Sequence, residues 1–207
     1  MPTTRRAWGK FSEDDGAVHH LAHHSADVAA VFAMLLAHPL LRRRAEAACG
    51  RALLEAEVRC LTALVFLHDI GKLAPGFQAK GWADRGRLRL RGHLECGWAW
   101  ATQPCRDALD GAIAHLARWP DIRLWLEAIF AHHGRPSVRP GEGGAAATFF
   151  PLPDYDWQSE ETVMGRALLR WFPEIVVSAP PPAAPMLLHL FCGLVTLADW
   201  IASDRGA

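Results

Sequence analysis

His68 and Asp69 sit side by side at the end of an apolar run, Leu61-Thr62-Ala63-Leu64-Val65-Phe66-Leu67. An imidazole nitrogen next to a carboxylate can bind one divalent ion, and the carboxylate can bridge to a second. Such a dipeptide alone arises often by chance. Here it belongs to an ordered set: His24 upstream, His93 and the pair His132-His133 downstream, and Asp199 in a late apolar segment. That set, on a helical background, points to a two-metal phosphodiester hydrolase. Breaking a phosphodiester near neutral pH needs an activated water and a sink for charge on the phosphoryl oxygens, and two ions about 3.5–4 Å apart supply both. Asp69 is the natural bridging carboxylate. It follows His68 by about 100° around a helix, so near a helix end both can face one pocket. His132 and His133 also sit at an expected helix C-terminus, where the backbone can turn both rings inward. Lys72, three residues after Asp69, is a candidate catalytic cation that could meet a substrate phosphate or the leaving oxygen.

The first histidine has rivals. His19, His20 and His23 lie close to His24, and both His20/His24 and His19/His23 are spaced to share one helical face. His38, His115 and His189 stand alone and read as structural or exposed. Trp98, Trp100, Trp119, Trp125 and Trp200 read as core, with base stacking as the less favoured role.

These residues need helices to hold them. Leu21, Val28, Val31, Phe32 and Leu35 recur at helical spacing and predict a helix from about Val18 to Ala37, stopped by Pro39. A second is expected from about Arg51 to Asp69, ended by Gly71, Pro75 and Gly76. Residues 80–92 read as a basic connection, with Gly86–Gly92 either a short strand or an extended loop. Helical pieces follow near 93–101, 105–117 and 121–132, the last capped by Gly134. A long loop rich in Gly, Pro and Ala covers 135–158, a short helix 159–171, a stiff Pro-rich connector 178–185, and a final helix runs from about Met186 to Ser203.

The 207 residues suffice for one domain with a sizeable core, and the Ala- and Leu-rich composition favours helices over sheets. One domain over 1–207 is expected, without internal repeats. Net charge is zero, which neither favours nor excludes nucleic acid. Basic residues cluster at Arg42-Arg43-Arg44 and at Arg85, Arg87, Arg89 and Arg91, as a solvated surface or a phosphate-tracking patch. The five cysteines form no CxxC and read as reduced thiols of a cytoplasmic protein. No stretch reads as long and charge-free enough to span a bilayer, and the N-terminus lacks a signal peptide's apolar core. The end just behind Asp199 suggests an excised fragment or a minimal subunit.

The set resembles the HD superfamily of metal-dependent phosphohydrolases. More narrowly, it is similar to the HD nuclease domain of the type I CRISPR-associated helicase-nuclease. Trp8-Gly9-Lys10 resembles that family's opening. His24-Ser25-Ala26-Asp27-Val28-Ala29 matches its HxxDvA helix, which selects His24 over its neighbours. His68-Asp69-Ile70-Gly71-Lys72 with Phe77-Gln78 matches HDxGKxxxxFQ, and Ala198-Asp199-Trp200-Ile201-Ala202-Ser203-Asp204 its closing ADWixSd segment. The segment after His93, Leu94-Glu95-Cys96-Gly97, departs from the pattern, where a small hydroxyl residue is expected near Cys96.

The resemblance implies an all-α HD-domain helical bundle with a metal site in its centre. It implies metal-dependent cleavage of single-stranded DNA, endonucleolytic and 3′→5′ exonucleolytic, in defence against invading DNA. His24, His68, Asp69 and Asp199 would hold one divalent ion, and Asp69, His93, His132 and His133 the other, with Mn²⁺, Ni²⁺, Co²⁺, Fe²⁺ or Mg²⁺ as candidates. Partners would be single-stranded DNA, a CRISPR surveillance complex and a helicase domain or subunit. No GxxxxGK[ST] loop is present, so ATP is not a substrate by that route. The alternatives are a phosphohydrolase of nucleotides or cyclic dinucleotides, and a catalytically silent docking module, against which the intact ligand set argues.

Overall fold

The computed structural model describes residues 5–12, 16–102, 115–134 and 147–204. It opens with a hairpin of β1 (Trp8–Phe11) and β2 (Val18–His20), paired antiparallel with Trp8 opposite His20 and Lys10 opposite His19. Gly9 is the extra residue at this irregularity, a bulge that bends the strand over the site. Helices that lie wholly among the described residues are α1 (Leu21–Ala37), α2 (Pro39–Cys49), α3 (Glu55–Phe66), α4 (Pro75–Gln78), α5 (His93–Ala101), α6 (Ile122–Ile129), α7 (Trp157–Trp171) and α8 (Pro185–Ser203). Short 3₁₀ turns cover Ile70–Leu73, Ala79–Gly81 and Pro173–Val176. The all-helical expectation holds, the small hairpin aside.

α3 is the axis of the bundle. Cys60, Leu61, Ala63, Leu64, Val65 and Phe66 are all buried, at about 1.5–3 kcal/mol for each large apolar side chain fully removed from water. α1 packs on α3 and on α8, and α6 on α8. Phe32, Trp125 and Phe191 meet edge to face where α1, α6 and α8 converge.

Several boundaries differ from the sequence expectation. Val18–His20 is strand, not helix, because its backbone pairs with Trp8–Phe11. Pro39 ends α1 but also begins α2, a helix absent from the sequence expectation. Its fixed φ suits a first helical turn, His38 Nδ1 accepts from Leu40 N, and the two helices meet at 85°. Gly50, at φ +77°, ends α2 in the left-handed conformation. The second expected helix is shorter at both ends: α3 stops at Phe66, so His68 and Asp69 lie in the turn that follows. Residues 86–92 form turns and extended loop, not a strand. α5 spans the expected residues, and Gly134, at φ +80°, donates its N–H to Ala131 O behind α6. α7 begins at Trp157, two residues early, because Asp156 Oδ1 accepts from Gln158 N and Ser159 N. Most of the helix expected at 105–117, Cys105, and 135–146 of the long loop lie outside the described residues.

α8 overturns the expectation that no stretch could span a bilayer: by length and composition it is apolar enough to cross one. Its packing on α1 and α6 accounts for one apolar face. Trp98, Trp100, Trp119 and Trp125 are core as expected, but Trp200 is 67% exposed. It lies on the outer side of α8, a helical step away from the buried Asp199.

Candidate metal centre

Several elements converge on Asp69. The turn after α3 presents His68 and Asp69, α1 presents His24 from its first turn, α8 presents Asp199 from its last, and α5 opens with His93. His132 and His133 follow α6 directly. Two groups result whose ligand atoms lie within 4.8 Å of one another: His24, His68, Asp69 and Asp199, all buried, and His93, His132 and His133, open toward solvent at His133.

Asp69 joins the groups with its two oxygens. Oδ2 lies 3.1 Å from His24 Nε2 and 3.2 Å from His68 Nε2. Oδ1 lies 3.3 Å from His93 Nε2 and 3.9 Å from His132 Nε2. Asp199 Oδ1 closes the first group, 3.5 Å from His24 and 3.7 Å from His68. In the second, His133 Nε2 is 3.1 Å from His93 Nε2. All seven sequence candidates for metal ligands therefore meet at one place. His24 is buried among them, whereas His20 and His23 are exposed and His19 pairs outward with Asp27 at 3.4 Å.

The rings are set for metal. His68 Nδ1 donates to Val65 O at 2.9 Å and His132 Nδ1 to Ile129 O at 2.6 Å. A carbonyl only accepts, so in the neutral rings the Nε2 lone pair faces the site. Both Nε2 atoms are buried and make no aligned hydrogen bond. A lone pair aimed at carboxylate oxygens calls for a cation between them, a proton or a metal. Burial drains charge from His68, but Asp69 and Asp199 outweigh it, so its pKa is pushed up to about 9. Burial pushes His93 down to about 4 and His132 down to about 3, with His68 also disfavouring the charge on His132. These two rings offer neutral nitrogens at physiological pH. Burial opposes ionisation of Asp69, yet Lys72 and His68 hold it well below the usual carboxylate range. The nitrogen and oxygen donors suit borderline divalent ions.

Lys72 is where the structure differs from expectation. It does not face open solvent as a phosphate-binding cation would. Its ammonium is buried, 2.5 Å from Asp69 Oδ2 and 2.7 Å from Gly9 O. The strand supplying that carbonyl is itself tied down. Gln78 accepts from Trp8 N at 3.0 Å and donates to Trp8 O at 2.9 Å and Lys72 O at 2.7 Å, while Trp8 Nε1 donates to Gln78 O at 3.1 Å. The Trp8-Gly9 and Phe77-Gln78 segments are thus two halves of one clamp. Gly9 must be small, since a Cβ there would lie 2.7 Å from His24 Cβ.

Two further positioning groups escape a sequence reading. Ser203 Oγ donates to Asp199 Oδ1 at 3.0 Å, one helical turn on. Thr196 Oγ1 donates to His132 O at 2.6 Å and so ties α8 to the second group. The i,i+4 spacing of Ser203 to Asp199 is a usable signal, whereas the Thr196 bond crosses between elements and leaves none. The arginines of 85–91 line the approach to α5. Arg85, Arg87 and Arg89 are exposed, and Arg91 pairs with Glu95 at 2.8 Å.

Comparison with known proteins gives the family and the fold. The family model described as Cas3, HD domain matches residues 8–207. The CRISPR-associated endonuclease/helicase Cas3 of Thermus thermophilus is 28% identical over 229 aligned positions, covering 99% of this chain and 23% of that protein. The chain thus spans about a quarter of the length of that relative. The crystal structure of T. fusca Cas3 with ATP aligns over 99% of this chain and 23% of its own, at TM-score 0.71 and 24% identity, a likeness of fold. A CRISPR RNA-guided surveillance complex in a pre-nicking state aligns at TM-score 0.68 and 25% identity, over 99% of this chain and 25% of its own. The Thermus thermophilus Cas3 HD domain, crystallised in the presence of Ni²⁺, aligns over 90% of this chain and 72% of its own, at TM-score 0.55 and 26% identity.

Proposed function

Because the chain belongs to the Cas3 HD domain family, we propose that it is a metal-dependent nuclease that cleaves single-stranded DNA at a two-metal centre in CRISPR defence. The observation that carries this reading is the division of Asp69, one oxygen toward His24 and His68 and the other toward His93 and His132. A carboxylate shared in this way holds two cations close together. His24, His68, Asp69 and Asp199 would hold the first, and Asp69, His93, His132 and His133 the second. Two such ions supply water activation and charge stabilisation on the phosphoryl oxygens.

The protein's own groups do the rest. Val65 O and Ile129 O fix the tautomers of His68 and His132. Ser203 orients Asp199, and Lys72 holds Asp69 ionised and in register. The second group opens to solvent at His133, which lets a polymer lay its phosphate there without being swallowed whole, as a closed nucleotidase pocket would require. The surveillance complex and helicase of the relatives would be this domain's partners, and the cytoplasm its compartment.

The test is metal analysis of the purified chain, paired with cleavage of single-stranded DNA across Mn²⁺, Ni²⁺, Co²⁺, Fe²⁺ and Mg²⁺. Two ions per chain and cleavage with at least one of them are expected. A chain that binds metal and hydrolyses nucleotides or cyclic dinucleotides, but leaves DNA intact with every ion, sinks this reading in favour of the small-molecule phosphohydrolase.

A further inference from the structure

We propose that the groove between the N-terminal hairpin and the Gly81-Trp82 turn is a base-stacking subsite for the unpaired strand whose phosphate lies at the metal centre. The inference rests on the nuclease reading and adds to it where the flanking nucleotides go.

The groove is walled by Trp8, Phe11, Val18 and Trp82, with Gly81 at its floor. A Cβ at Gly81 would come within 3.0 Å of the Trp8 indole nitrogen, so glycine lets the indole lie against the floor. Phe11 and Val18 expose 36% and 49% of their surface. Apolar side chains so open on a two-stranded hairpin are not serving the core.

The rings of the groove reach the metal centre through Phe77, which is buried beneath them. Phe11 lies 6.1 Å from Trp8, Trp8 lies 4.9 Å from Phe77, and Phe77 lies 5.6 Å edge-on from His93 of the second group. The exposed Phe11 and half-buried Trp8 offer the faces on which bases stack, with little regard to sequence, and buried Phe77 backs Trp8 from the side of the site. Lys80, exposed, holds its ammonium 4.5 Å over the Phe77 ring, where a backbone phosphate can reach it. Arg5, by contrast, stacks its guanidinium 4.5 Å over Trp82 and is neutralised by Asp84 and Asp154, each at 2.7 Å. The groove therefore favours base faces over a ladder of phosphates. A duplex buries its base faces, so an apolar groove with few cations selects single strands.

The test is binding of a short fluorescent oligothymidylate in chelator, so that no cleavage intervenes. Phe11→Ala weakens binding roughly 5- to 150-fold, the range for loss of one base stack, whereas Phe11→Trp keeps it. Lys80→Gln weakens it too, and the salt slope falls by about one counterion. Hydrolysis of a chromogenic phosphodiester too short to reach the groove is the control for an intact centre. If Phe11→Ala binds oligothymidylate as tightly as the unaltered chain, the subsite does not exist and the groove serves another occupant, such as an apolar peptide segment. That result leaves cleavage by the unaltered chain standing. Absence of any DNA cleavage by the unaltered chain is the separate failure, and it removes the nuclease reading itself.

Discussion

Lys72 Nζ lies 2.5 Å from Asp69 Oδ2, the same oxygen that faces His24 and His68. The ammonium and the ligand group thus compete for one carboxylate edge. Breaking a buried ion pair by removing one partner costs about 3–5 kcal/mol, but a divalent ion also satisfies Asp69. Lys72→Met should therefore lose much more stability in chelator than in saturating Mn²⁺. Urea unfolding under both conditions checks this, and equal losses would show that the lysine does not share Asp69 with metal.

Asp69→Ala removes the carboxylate common to both groups. Metal-dependent DNA cleavage should fall to background, with bound metal dropping below two ions per chain. Near wild-type rates with the same ion would end the two-metal reading.

Among the four clustered histidines, only His24 points into the centre. His24→Ala should cause a large loss of cleavage rate, and alanine at His19, His20 or His23 little change. An equal or greater loss at His20 would move the ligand to the strand preceding α1.

Gly71 packs against the start of α5 so closely that a Cβ would lie 1.9 Å from His93 O and 2.3 Å from Gly97 N. Both are backbone atoms and cannot step aside. Gly71→Ala should displace α5, carry His93 away from Asp69, and lower both thermal stability and the affinity for the second metal. Stoichiometric binding of two ions by Gly71→Ala would show that α5 does not position the site.

Arg87 and Arg89 are exposed beside the loop that leads to His93. Neutralising both should raise the Kd for single-stranded DNA and flatten its salt dependence, since fewer counterions are released. Hydrolysis of a small chromogenic diester should stay nearly constant. Equal damage to both substrates would place these arginines in the catalytic pocket. No damage to either would make them a solvated surface.

The candidate ligands are legible among 11 histidines because their order and the residues flanking them are informative. The apolar periodicity of α1, α3 and α8 carries the bundle that holds them. The hairpin is not legible: Val18 fits a helical period, and only pairing with Trp8–Phe11 reveals a strand. Pro39 reads as a stop because the same geometry that ends one helix starts the next. Trp200 reads as core because its ring is large, yet its side of α8 faces outward. Lys72 reads as facing substrate because its true partner, Gly9 O, is a backbone atom from a distant segment, and carbonyls leave no mark in a sequence. Its other partner, Asp69, is visible three residues away.

His24 and Asp199 come from the first and last long helices, with His68 and Asp69 from the middle of the chain. An ion held among them would work as a removable cross-link between the first long helix, the turn after α3 and the last long helix. Such a link shrinks the unfolded ensemble and favours the compact state by mass action. Metal supply would then bear on how long the domain survives as well as on how fast it acts. A cell short of the ion would hold a looser protein, more exposed to proteolysis, and nuclease abundance would track the metal.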